Sequence, residues 1–173
     1  MTKHMHSGGE KTITWQDASP SLQQLPKLTG IDFLRKMMAG ELAGPSISST
    51  MQMHLTDVGE GTVTFECVPD ESHFNPLGTI HGGYACTVLD SALGCAVQTT
   101  LPQGVGYTSI EIKINYLRPI MPDSAPLRAI GTVTKPGNRV AFADGELIDA
   151  TGRVVATATG SLLVFAIGEA ATR

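Results

Sequence analysis

The sequence predicts an α+β domain in which a curved antiparallel sheet of about six strands wraps around one long buried helix, preceded by a short helix. First, residues 83–99 carry apolar side chains around the whole circumference of a helix, which is typical of a helix that is covered on all sides. Second, the remaining apolar segments alternate with a period of two. Third, these strand-like segments follow one another with turn residues between them. One long helix among consecutive hairpins argues against a helical bundle and against a doubly wound α/β fold.

The first elements are a short helix and a hairpin. Thr29 can cap a helix from Gly30 to about Gly40, whose apolar residues recur at spacings of three and four. Residues 51–56 and 63–67 alternate in polarity on either side of a Gly-Glu-Gly turn, which predicts a hairpin. We expect residues 1–28 to form a polar, partly ordered arm, residues 29–166 a single domain, and residues 167–173 a frayed tail.

Four strands are predicted after the long helix. The clearest is residues 109–116, where strict alternation puts Ile110, Ile112, Ile114 and Tyr116 on one face and Ser109 on the other. Residues 127–134, 139–148 and 154–165 follow as strands, joined by segments rich in proline, glycine, asparagine and aspartate.

Composition excludes several functional classes. The net charge of −4 and the scattered basic residues leave no electrostatic footprint for nucleic acid. No apolar run reaches the roughly 18 residues that a membrane span requires, and the N-terminus lacks the apolar core of a signal peptide. The three cysteines have no metal-type spacing, so we expect reduced thiols, no metal site and a cytoplasmic protein.

The candidate functional residues lie at the start and in the middle of the long helix. Gly82 and Gly83 have no side chains, so the first N–H groups of the helix are expected to be unobstructed and able to stabilise a negative oxygen. Asp90 is a lone carboxylate two turns later, about 10 Å along the axis, which is too far to share one reacting atom with those amides. Two helices meeting antiparallel across a twofold axis would bring Asp90 of one chain to the amides of the other. Simpler interpretations stay open, because Asp90 could be a surface or capping residue and the glycines could serve packing.

The pattern Asn75-x-x-Gly78-x-x-His81-Gly82-Gly83, followed by Asp90 in Leu-Asp-Ser-Ala, resembles the hotdog-fold thioesterases of the PaaI and 4-hydroxybenzoyl-CoA thioesterase group. The resemblance covers roughly residues 45–166. It implies a homodimer, often a dimer of dimers, with active sites between two helices, and an acyl-CoA substrate with an aryl or medium-chain acyl group.

The resemblance also implies roles for individual residues. Gly82 and Asn75 would polarise the thioester carbonyl, and His81 would shape their loop. Asp90 of the facing subunit would be the general base or the nucleophile, and Ser109 would hold the attacking water. The residues expected at coenzyme A are Gly83, Lys135, Gly137, Asn138 and Arg139. Coenzyme A is part of the substrate, and no other cofactor is expected.

Two other functions stay open at this stage. The same fold can hold an acyl-CoA or lipid without chemistry, although the intact set of Asn75, Gly82 and Asp90 argues against a purely binding module. A hydratase or dehydratase of the same fold is disfavoured because the sequence has no His-x-Gly-Asp pattern.

Overall fold

The computed structural model describes residues 9–168 and confirms the predicted α+β architecture. The helices are α1 (Ser19–Gln24), α2 (Gly30–Met38), α3 (Ser46–Thr50) and α4 (Gly82–Gln98), and single turns of 3-10 helix span Leu25–Lys27, Glu71–His73 and Pro122–Ser124. The strands are β1 (Met53–Gly59), β2 (Thr62–Cys67), β3 (Val105–Tyr116), β4 (Leu127–Lys135), β5 (Val140–Ile148) and β6 (Val154–Ala166).

The six strands form one antiparallel sheet in the order β1-β2-β4-β5-β6-β3. Helix α4 packs across the concave face and contacts β2, β3, β4, β5 and β6. Both the sheet and the helix therefore bury apolar surface in a single core. Because β3 lies at the end of the sheet, one of its sides has no neighbouring strand within the described chain.

Glycines allow α4 to lie directly on the sheet. Gly131 of β4 pairs with Gly145 of β5. A Cβ atom at Gly131 would lie 2.2 Å from the carbonyl oxygen of Ala92 in α4, and one at Gly145 would lie 2.8 Å from Leu93 Cδ1. No side chain larger than hydrogen fits at Gly131 without moving the backbone, so this pair sets the distance between helix and sheet.

A bulge in β3 overturns the predicted alternation of that strand. Ser109 pairs with Leu162 and Glu111 pairs with Ser161, so Ile110 is left without a partner. Ile110 is consequently 55% exposed, whereas Ile112 packs against the core. An inserted residue reverses the alternation of faces, and Ser109 therefore lies on the helix-facing side, the same side as Ile112.

The segment before α2 contains structure that the sequence did not predict. Pro20 lies in the first turn of α1, where its missing N–H costs nothing. The Asp17 carboxylate accepts hydrogen bonds from the backbone and hydroxyl of Ser19 just before the helix. Further upstream, Lys11 Nζ lies 2.9 Å from Asp70 Oδ2. Residues 1–8 and 169–173, which include most of the predicted tail, lie outside the described residues.

Candidate active site

Asp90 and Ser109 form a hydrogen-bonded pair between helix and sheet. The Ser109 hydroxyl donates to Asp90 Oδ1 at 2.8 Å. Both residues line a cavity of about 710 Å³, and Asp90 is only half-buried. A carboxylate with a hydroxyl partner and access to solvent can accept a proton from a water molecule in that cavity.

Helix α4 is not covered on all sides within one chain. Its sheet-facing side is fully buried, but Cys86, Thr87, Asp90 and Ser91 form a half-buried stripe along the opposite side. The prediction of a completely enclosed helix is therefore wrong for the single chain. Apolar periodicity reports that a surface is covered, and it does not report which chain covers it.

The start of α4 has one free amide rather than two. His81 caps the helix, and its Nδ1 accepts a hydrogen bond of 2.8 Å from the Gly83 N–H. The His81 carbonyl accepts from the Tyr84 N–H at 2.9 Å. Among residues 9–168 no acceptor is found for the Gly82 N–H. The sequence predicted that both amides are unobstructed, and this is wrong for Gly83, because the side chain of the preceding histidine reaches it.

Asn75 organises the loop before the helix. Its Oδ1 accepts from the backbone N–H groups of Leu77 at 2.9 Å and Thr79 at 3.3 Å, and its Nδ2 donates to Thr79 Oγ1 at 2.8 Å. These bonds hold the amide in one orientation. The second hydrogen on Nδ2 has no acceptor within the described part of the chain, so it remains able to bind a carbonyl oxygen.

Sequence reasoning missed Tyr116 as a neighbour of this loop. Its hydroxyl donates to the Gly82 carbonyl at 3.1 Å, and a Cβ atom at Gly82 would lie 3.0 Å from the ring. The pKa of the Tyr116 phenol is raised above its ordinary value. Partial burial is the larger cause, and the nearby Cys86 thiol is the smaller one. The aromatic residue closing the isoleucine-rich strand was the available signal. The contact with Gly82 could not be read from it, because it joins residues 34 positions apart.

The predicted residues occupy two separate cavities. Asn75, Gly82 and Tyr116 line a cavity of about 290 Å³ at the start of α4. Asp90 and Ser109 line the larger one, and the two share no lining residue. Within one chain, the candidate carbonyl-binding groups therefore do not meet the candidate base.

The loop of residues 135–139 lies at the opposite end of α4 from Asn75. The Gly61 N–H donates to Thr99 Oγ1 just after the helix, and the Gly61 carbonyl accepts from Val133 near the end of β4. Gly137 is required there because a Cβ atom would lie 2.0 Å from the Val140 carbonyl oxygen. The other predicted residues of this loop, Lys135, Asn138 and Arg139, are exposed and line neither of the two cavities.

Among residues 9–168, no helix is both long enough and apolar enough to cross a lipid bilayer.

A family model described as the thioesterase superfamily matches residues 77–156. A protein of Halobacterium salinarum that carries an esterase name is 35% identical over 96 residues, which cover 51% of this chain and 62% of that protein. The aligned region thus spans less than two thirds of that relative. Acyl-coenzyme A thioesterase 13 of Homo sapiens is 31% identical over 104 residues, covering 59% of this chain and 72% of that protein.

A solved structure is also similar to this chain. A phenylacetic acid degradation-related protein of Ralstonia eutropha JMP134 superimposes with a TM-score of 0.68 and 27% sequence identity. The superposition covers 75% of this chain and 97% of that chain.

Proposed function

The chain belongs to the thioesterase superfamily, and on that premise we propose that it hydrolyses acyl-CoA thioesters, with an aryl or medium-chain acyl group as the substrate class. The observation that carries the proposal is the Ser109–Asp90 hydrogen bond of 2.8 Å inside a solvent-accessible cavity. It combines a base with a hydroxyl that can hold water beside it. Thioester hydrolysis changes no oxidation state, so the proposed reaction calls for no redox cofactor.

The proposed active site is shared by two chains. Asn75 and Gly82 of one protomer would hold the thioester carbonyl, and Asp90 and Ser109 of the facing protomer would activate water. Two features support this arrangement: the half-buried stripe on α4 and the outer side of β3, where Ile110 is 55% exposed. A second copy packing on this side would cover both features and form a homodimer. The family resemblance further suggests that two such dimers associate.

Each group has a role in the proposed reaction. Ser109 donates its hydrogen to Asp90, so its oxygen is left to accept a hydrogen from the attacking water. As water attacks the carbonyl carbon, Asp90 takes its proton. The Gly82 N–H and the second Asn75 hydrogen stabilise the negative oxygen of the tetrahedral intermediate. The carbon–sulfur bond then breaks, and the departing coenzyme A thiolate takes up the proton that Asp90 received, which returns Asp90 to its carboxylate form.

The loop of residues 135–139 is proposed to hold coenzyme A. It carries the cations Lys135 and Arg139 and lies at the end of α4 that is opposite to Asn75. A helix of 17 residues is about 25 Å long. If two α4 helices run antiparallel, this loop of one protomer comes near the start of α4 in the other, where the substrate phosphates could reach it. Gly83 is proposed to lie against the same ligand without donating to it, because its N–H is already bound to His81 Nδ1.

Thiol release from a panel of acyl-CoA esters tests the proposal. Asp90→Asn keeps the shape of the side chain and removes the base, so we expect kcat to fall at least about 100-fold. Ser109→Ala is expected to lower kcat by about tenfold while KM changes little, because it affects the water rather than the substrate. Melting temperatures of both variants should stay close to that of the wild type. Near-normal turnover by Asp90→Asn would refute the mechanism.

Two further measurements separate the remaining alternatives. Rapidly quenched enzyme analysed by mass spectrometry distinguishes the roles of Asp90, since a nucleophile carries the acyl group during turnover and a general base does not. Tight acyl-CoA binding by the wild type, with no thiol release from any ester, would favour the non-catalytic binding module.

A further inference from the structure

A third cavity of about 460 Å³ lies beneath the N-terminal arm. Its wall consists mostly of apolar side chains, and among residues 9–168 none that lines it is charged. The main contributors are Ala18, Leu22, Leu25, Phe33, Phe165 and Ile167. Burying a charged ligand here would require a partner that the described part of the wall does not provide, whereas a volume of this size is typical of a small-molecule site.

This cavity adjoins the one that Asp90 and Ser109 line. Met37, Pro45, Cys95 and Tyr107 line both cavities. Tyr107 packs closely against α4, since a Cβ atom at Gly94 would come within 2.6 Å of its ring. Burial raises the pKa of the Tyr107 phenol well above its ordinary value, so the hydroxyl stays neutral at this junction. The two cavities therefore lie side by side, one containing the Asp90 carboxylate and the other apolar, and the pair is called the channel.

Residues of the N-terminal arm line both parts of the channel. Thr14, Trp15 and Gln16 line the part near Asp90, and α1 lines the far part. The arm is attached to the rest of the chain by Lys11, whose Nζ also donates to Gln52 Oε1 at 2.9 Å and to Ser72 Oγ at 3.1 Å. Trp15 lies four residues after this attachment and lines the cavity, and its side chain is 64% exposed.

We propose that this channel binds the acyl chain of the substrate, with the apolar cavity beneath the arm taking its far end, so that the enzyme acts on straight acyl chains rather than compact aryl groups. The inference rests on the proposed function. The reacting carbonyl must lie near Asp90, and the chain continues in the direction in which the wall loses its polar groups. A rigid aryl group would fill only the part near Asp90 and would leave the apolar far end without a ligand.

Chain-length dependence tests this proposal directly. Each methylene that enters the apolar cavity is expected to raise kcat/KM about fourfold, so octanoyl-CoA should be a far better substrate than butyryl-CoA or benzoyl-CoA. Ala18→Phe and Ala43→Phe each place a ring in the far cavity. We expect either substitution to lower the octanoyl-to-butyryl ratio of kcat/KM at least tenfold. Ala39→Phe is the matched control, because Ala39 is exposed and lines neither cavity.

Binding of neutral alcohols gives a readout that does not depend on turnover. Trp15 is the only tryptophan of the chain and lines the channel, so its emission should change when decanol binds to the wild type. That change should require at least tenfold more decanol in Ala18→Phe and Ala43→Phe, and it should be unaltered in Ala39→Phe.

The outcomes separate the two proposals. If the octanoyl-to-butyryl ratio of kcat/KM is unchanged in Ala18→Phe and Ala43→Phe (the filled variants) and thiol release is intact, the channel proposal is refuted and the hydrolase proposal is not. If the wild type releases thiol from none of the esters, the hydrolase proposal fails, and decanol binding that is weakened only by the filled variants still supports the channel. If neither filled variant folds, the wild type alone decides. No change in Trp15 emission on adding decanol refutes the channel proposal, and a larger change with decanol than with benzyl alcohol supports it.

Discussion

Substitution of Gly131 by alanine tests the packing on which the position of Asp90 depends. A Cβ atom at Gly131 would lie 2.2 Å from the Ala92 carbonyl oxygen and 2.5 Å from its carbonyl carbon. Both are backbone atoms, so neither can rotate away as a side chain would. Helix α4 or strand β4 must move by about 1 Å to restore an ordinary contact.

The expected cost can be estimated from known effects of overpacking. An added methyl group in a tightly packed core costs about 3 kcal/mol at the upper end of the usual range. Alanine lowers the entropy of the unfolded chain and offsets about 1 kcal/mol, which leaves a net loss of about 2 kcal/mol in the free energy of unfolding. For a chain of this length we expect the melting temperature to fall by about 4–8 °C.

The same movement should lower activity, because Ala92 lies two residues after Asp90 on the same helix. A misplacement of about 1 Å can cost up to about 100-fold in rate, so kcat/KM should fall by one to two orders of magnitude. Thermal unfolding and thiol release measure the two effects. Gly44→Ala is the control for stability, since its Cβ atom would meet only Met37 Cε at 3.8 Å. A Gly131→Ala variant that melts with the wild type and keeps full activity would refute the close contact of helix and sheet.

Two further predictions follow from the helix cap and from a buried carboxylate. His81→Ala removes the Nδ1 acceptor of the Gly83 N–H and should lower the free energy of unfolding by about 1 kcal/mol. His81→Asn should recover most of this loss, because asparagine can also cap the helix. Equal melting temperatures for the two variants would contradict the capping role. The Thr151 hydroxyl, followed by the backbone and guanidinium of Arg153, holds the pKa of the buried Asp149 carboxyl well below its ordinary value near 3.9. A lowered pKa in the folded state stabilises the protein above the ordinary value, and this contribution is lost as pH falls below it. Asp149→Asn should therefore lower the melting temperature at neutral pH, and the gap to the wild type should narrow below about pH 4; a gap independent of pH would refute this assignment.

The sequence alone was sufficient to predict the order and type of the main elements. The cap at Thr29, the Gly-Glu-Gly turn and the switch between helical and strand periodicity are local signals, and the structure confirms α2, the β1–β2 hairpin and α4 at these positions. Local signals of this kind depend on a few neighbouring residues, so they can be read without knowledge of the fold.

Tertiary structure decided which residues meet. Strict alternation put Ser109 on the wrong face of β3, because a bulge depends on the strand's partner rather than on its own pattern. Similarly, no periodicity indicated that the arm before α2 would line the channel beside Asp90. The composition of residues 83–99 determined that α4 must be covered. Only the structure shows that the sheet covers one side of α4 and leaves the stripe that contains Asp90 half-buried. Burial depends on how all the helices and strands pack together, whereas the sequence pattern indicates only that apolar surface must be removed from water.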